Sequence, residues 1–217
     1  MLTMDESARL VGGYAWVELR LFEIVGGWVP DVPEPEVKVR LAAQARHHAW
    51  HAELWLGHRP VVAGRDVDEL VAAPSAGAAA ALDALATRDA PAASAAPGRS
   101  RESAPAAPDA SGRTGDDGDP AGDRGATLDR LAGLSRVVLP RLITAYGRHA
   151  EAGSAMADGP VLRTLRLVLT DDVADWREGE ALVQSLVRTA GDAERAAAVV
   201  ARLESLLGAD GLTAPLP

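Results

Sequence analysis

The sequence predicts an all-α fold: an antiparallel four-helix bundle with a long crossover and a short fifth C-terminal helix. Two observations carry this reading. Apolar residues recur at alternating three- and four-residue spacing over four long stretches, as on one face of a helix. Between the second and third of these, residues 88–126 are rich in Ala, Pro, Gly, Ser and Asp and show no periodicity. Such a composition buries too little surface to offset its ordering entropy. It reads as a disordered insert through which the chain can cross the length of a bundle. The whole chain, 1–217, is expected to be a single helical-bundle domain.

The first helix is expected at about 5–28, where Leu10, Tyr14, Val17, Leu21, Ile24 and Trp28 share a face. Val11, Phe22 and Val25 widen that face, and Glu18 falls near its centre. Gly26 and Gly27, followed by Pro30, Pro33 and Pro35, end the helix in a short rigid turn. The second helix, about 35–57, starts on Pro35. Its stripe is Val37, Leu41, Gln44, His48, His51 and Trp55, with Arg46, Trp50 and Glu53 opposite. Residues 61–87 are ambiguous, with a turn or two at 66–73 and a weak helix from Ala76 to Thr87. The third helix, about 127–150, places Leu128, Leu131, Ser135, Val138, Leu142, Tyr146 and His149 on one face, with Pro140 outward as a kink. The fourth, about 160–189, follows a loop and has a core face of Val161, Leu165, Val168, Leu169, Trp176, Val183 and Leu186. Asp172 lies at the centre of that face with Asp175 beside it. The fifth, about 192–207, turns Val199, Leu203 and Leu206 inward.

Composition narrows the function classes. Apolar residues make up 47%, enough for a core, and the net charge is −9. An acidic surface argues against nucleic acid or an anionic membrane as partner. The chain has no cysteine, which excludes disulfides, zinc-thiolate sites and iron–sulfur clusters. The segment MLTMDESARL does not read as a signal peptide, and no apolar run is long enough to span a membrane, so a cytoplasmic protein is expected. Lys38 is the single lysine among many arginines and alanines, a codon bias that fits a GC-rich bacterial source. No phosphate loop, nucleophile elbow or nucleotide fingerprint is visible, so no nucleotide cofactor is expected.

The informative residues are polar groups on faces that should be apolar: Glu18, then His48 and His51, then Asp172 and Asp175. Buried polar groups are costly unless hydrogen-bonded or bound to metal. At about 1.5 Å rise per residue, Glu18 lies roughly 15 Å below the first turn and His48 roughly 18 Å below it. A helical hairpin therefore brings them level. With the first and fourth helices parallel, Asp172 reaches the same layer. Converging carboxylates and imidazoles suit a divalent transition metal, Fe or Mn, with Zn less favoured. The expected metal ligands are Glu18, His48, His51, Asp172 and Asp175. Gln44 is expected to join as a network partner, Tyr146 and His149 to be boundary residues, and His47 and His58 to be peripheral.

On these residues the chain resembles the ferritin-like superfamily of diiron-carboxylate bundles. That family carries a Glu on one helix, Glu-x-x-His on the next, a long crossover, a Glu on the third and Glu-x-x-His on the fourth. The resemblance covers 5–58 and 127–190. Glu18 matches the first Glu and His51 the second-helix His, with His48 at the preceding Glu position. Asp172 matches the fourth-helix acid, and Asp175 stands where His is usual. Leu139 and Leu142 occupy the third-helix acid layer. The resemblance implies a ferritin-like four-helix bundle with a mid-bundle His/carboxylate site, acting as a metal-dependent oxidoreductase or hydroxylase on a small molecule. The alternative is a non-catalytic structural or interaction module whose polar core is a metal-free ion network. Trp16 and Trp50, on the outer sides of their helices, mark the surface for a possible homodimer.

Overall fold

The structure, a computed structural model, describes residues 3–61, 64, 66, 68–87, 120–209 and 211–213. All regular structure among them is helical: α1 (Met4–Trp28), α2 (Pro35–Gly57), a short 3₁₀ turn (Asp68–Leu70), α3 (Ala76–Ala86), α4 (Pro120–Gly133), a π-helical segment (Leu134–Val138), α5 (Leu139–Ala152), α6 (Gly159–Leu186) and α7 (Ala190–Leu207). Residues 88–119, most of the expected disordered insert, lie outside the described residues.

Local chemistry sets the helix ends. Thr3 accepts from the Glu6 amide while the Glu6 carboxylate accepts from the Thr3 amide, a reciprocal cap on α1. Thr189 and Asp192 repeat it on α7, which therefore starts two residues earlier than expected. Pro35 and Pro160 sit in first turns, where the amide they lack is not needed. Ser75 caps α3 through the Ala78 amide, making a real helix of the stretch whose sequence is ambiguous.

Pairwise contacts fix the directions. Glu18 meets His48, and Tyr14 meets Trp55, so α1 and α2 are antiparallel. Arg40 pairs with Glu178, His47 with Asp175, His51 with Asp171 and His58 with Thr164, so α6 runs antiparallel to α2. Ser135 abuts Gly179, Arg136 pairs with Glu180, and Gly153 abuts Leu162, which sets α5 antiparallel to α6. The first and last long helices of this group thus run parallel, as the shared layer requires. α4 continues past it and packs on α7, where Arg195 holds Asp129 through two hydrogen bonds at 2.7 and 2.6 Å.

Three expectations need correction. The third long helix begins at Pro120, not near 127, because Pro suits a first turn. Pro140 does not simply kink it. The helix relaxes into π geometry just before Pro140, and the Leu139 amide bonds to the Leu134 carbonyl. Trp176 and Phe22, 37% and 44% exposed, do not join the core, although Asp172 and Asp175 beside Trp176 are fully buried. A bulky aromatic at the edge of the inward stripe gives way to the side chains at its centre.

Gly12 marks a contact that only a missing side chain permits. A Cβ there would stand 2.0 Å from the Leu70 carbonyl oxygen. Gly12→Ala should cost about 1–2 kcal/mol in urea unfolding, because overpacking outweighs the helix-propensity gain of about 1 kcal/mol. Stabilisation of the variant would show that the 3₁₀ turn can move aside.

Candidate metal centre

Each helix delivers its polar group for a local reason. The apolar arc of α1 is so wide that Glu18, at its centre, is wholly buried among Val17, Leu21 and Val25. The α2 stripe buries Gln44, His48 and His51 with Val37, Leu41 and Trp55. α6 buries Asp172 and Asp175 within a run containing Leu165 and Val168. One donor atom each from Glu18, His48, His51 and Asp172 lies within 4.8 Å of every other, a group that could hold a metal ion.

Glu18 is the hub. His48 Nδ1 donates to its Oε2 at 2.6 Å, and the Tyr146 hydroxyl donates to its Oε1 at 2.6 Å. His51 Nδ1 stands 3.5 Å from Glu18 Oε1 and 3.6 Å from Asp172 Oδ1. The remote nitrogen of the same ring, Nε2, donates to Asp171 Oδ2 at 3.2 Å. The acceptors set the tautomers: the proton of His48 sits on Nδ1 and that of neutral His51 on Nε2. Each ring keeps one lone pair. Among the described residues, His48 Nε2, His51 Nδ1 and both Asp172 oxygens have no hydrogen-bond partner.

The charges are uneven. Burial pushes the Glu18 carboxyl up, but His48 and His51 outweigh it and hold it at about 2. Burial also works against the charged form of His51, yet Glu18, Asp172 and Asp171 outweigh it and raise the imidazole to about 9. Asp172 gains too little relief: burial, then the Glu18 carboxylate, push it up, His51 pulls it back, and it stays far above its ordinary range. Without metal the cluster holds an ionised Glu18, a protonated His51 and a neutral Asp172.

The structure brings four of the five expected ligands together. Asp175 lies one turn along α6, where it takes Arg40 and accepts from His47 Nδ1 at 3.0 Å. Gln44 is buried beside the cluster, with its amide nitrogen unpartnered among the described residues. Leu139 and Leu142 are wholly buried, as apolar groups on the third-helix side. Tyr146 is not a boundary residue but a direct partner of Glu18. Its hydroxyl also accepts from Trp55 Nε1 at 3.2 Å, and its ring meets Tyr14 edge-on at 4.7 Å. His149 joins this aromatic group and is almost wholly buried. The signal for Tyr146 was present: it follows Leu142 by one turn on the same stripe. Asp171 was missed because its neighbour Asp172 occupies the centre of the α6 face. Trp50 is exposed, whereas Trp16 packs partly against the core of its own chain. Among the described residues, no helix is long and apolar enough to cross a membrane.

Searches against protein-family models, curated proteins and solved structures found no match.

Two predictions test this network in the metal-free protein. The raised His51 stabilises the fold fully below its ordinary value of 6.5, and this is lost as pH rises through about 9. The lowered Glu18 stabilises above 4.5, and its share is lost as pH falls through about 2. Thermal stability should therefore fall as pH drops through the Glu18 limb and also as it rises, where the raised Asp172 adds a loss that begins above its ordinary 3.8 and His51 adds one above 6.5; His51→Gln should flatten the His51 share. Tyr146→Phe strands Glu18 Oε1 and the Trp55 indole, so urea unfolding should lose about 1–3 kcal/mol.

Proposed function

We propose that this protein binds one divalent transition metal in a ferritin-like bundle and acts as a metal-dependent oxidoreductase or hydroxylase. The observation that carries the metal reading is the set of unpartnered buried atoms. His48 Nε2, His51 Nδ1 and both Asp172 oxygens stand at one layer with no hydrogen-bond partner among the described residues. Buried polar atoms mostly find a partner, and four of the nine described without one gather in this layer. The separations support one ion: ligands at about 2.1 Å from a tetrahedral metal lie about 3.4 Å apart, close to the 3.5 and 3.6 Å around His51 Nδ1. The charges support it too, since a divalent ion balances Glu18 and Asp172 once Asp172 gives up its proton. The helix directions and the mid-bundle layer support the ferritin-like reading.

Two nitrogens and two oxygens suit Fe, Mn or Zn, and the ferritin-like reading favours Fe or Mn over Zn. Fe or Mn held there would supply the redox couple of an oxidoreductase. Asp172 and Glu18 neutralise its charge, while His48 and His51 bind through nitrogens fixed by Glu18 and Asp171. Tyr146 holds the free edge of Glu18 and, with Tyr14 and Trp55, keeps water from that side.

The second reading, a metal-free polar core, draws on the His48–Glu18 contact at 2.6 Å, which needs no ion. Asp172 separates the two. Burial raises its pKa, so at neutral pH it costs stability when no metal displaces its proton. Asp172→Asn should therefore stabilise the metal-free protein yet abolish metal binding. Mass spectrometry of the purified wild type should find about one Fe or Mn per chain after anaerobic loading, and Glu18→Ala/His48→Ala should hold none. A wild type that takes up no metal would leave the network reading alone.

A further inference from the structure

The four clustered side chains are all wholly buried, yet they do not share the same surroundings. Glu18 touches His48, His51 and Tyr146, all wholly buried. The described polar partners of His48 and Asp172 lie within the cluster. His51 differs. Its Nε2 bonds Asp171, whose side chain is 29% exposed. Its ring stacks on that of His47, 25% exposed in its side chain, with centroids 6.2 Å apart and planes 18° apart. It also touches Trp50, 42% exposed. Every hydrogen bond, ion pair or ring contact described between the cluster and a solvent-reaching residue runs through His51, and of these residues His47 and Asp171 lie along the line where α2 and α6 meet. On Glu18, by contrast, Tyr146 packs with Tyr14 and Trp55, and all three are buried.

We propose that the divalent cation reaches and leaves the buried cluster along the α2–α6 line, docking first on the Asp171 carboxylate and passing to the cluster as the His51 ring turns. This rests on the metal-binding reading above. Asp171 has the chemistry for the step. It is an acid at the surface, it bonds the far nitrogen of a ligand ring, and its chain neighbour Asp172 is itself a ligand. A cation held at Asp171 lies next to the two groups it must engage. Asp175, one turn along, is already bound to both His47 and Arg40, so it does not compete for it.

The test is the kinetics of Co(II) loading in the full-length protein, followed by stopped-flow visible absorbance, with release followed by transfer to EDTA. Asp171→Asn keeps an acceptor for His51 Nε2 and removes only the charge. On this route, loading should slow by about tenfold, the range of local electrostatic steering, with the final Co(II) spectrum unchanged, whatever the lost charge behind His51 does to release. Glu53→Gln, an exposed acid on the outer side of α2, serves as the control for net charge and should change neither rate. Unchanged loading in Asp171→Asn overturns the route. Faster release with loading at the wild-type rate marks Asp171 as a support for His51 alone and likewise overturns it. A wild type that gives no Co(II) spectrum overturns the metal-binding reading itself, a failure distinct from either.

Discussion

A carboxylate with no access to water lies at the centre of this fold. Glu18 is surrounded by α1, α2, α5 and α6, and ionising it there is costly unless partners converge on it. Three do: His48, His51 and Tyr146, from two different helices. Their convergence sets the register of the bundle. A slip of one turn between α1 and α2 would separate Glu18 from His48 and bury an unpaired charge. An apolar layer tolerates such slips far better, because one methyl packs much like another. Retaining a polar layer at the expense of stability is reasonable where the layer serves a purpose.

The two imidazoles look equivalent in sequence and are not equivalent in space. His48 is held by Glu18 on one nitrogen within a wholly buried setting. His51 reaches Asp171 on one side and Glu18 and Asp172 on the other. This follows from helix geometry: residues three apart are offset by about 60° around the axis. One ring therefore faces α1 while the other faces the α2–α6 line. Asp172 and Asp175 repeat the offset on α6, which explains why the first joins the cluster and the second pairs with Arg40 and His47.

Much of this arrangement is legible in the chain. The α2 stripe was readable residue by residue, since Val37, Leu41, Gln44, His48, His51 and Trp55 are all buried. Glu18 and Asp172 were readable as polar residues at the centres of apolar arcs. The helical ruler brought them level because hairpin geometry leaves little choice. What was not legible depended on partners from distant segments. Tyr146 lies on an inward stripe, but nothing in its own helix says that its hydroxyl meets Glu18. Asp171 and Asp175 differ from Asp172 only in phase, and a wheel cannot tell which neighbouring helix each phase will face. The π segment escaped because periodicity averages over it. Trp176 misled because hydrophobicity was taken as inward direction at the margin of a face.

That π segment has a consequence for cooperativity. Around it the helix is buried on nearly every side: Leu134, Ser135, Val137, Val138 and Leu139 are all shielded from solvent. Ser135 abuts Gly179 of α6, while Gly133, just before it, abuts Leu85 of α3 and Leu203 of α7. One short stretch is thus the common wall of the polar-cored bundle and of the layer formed by α3 and α7. Neither part can open without exposing surface that the other also uses. The architecture therefore behaves as one thermodynamic unit, and loosening the peripheral layer loosens the polar core with it.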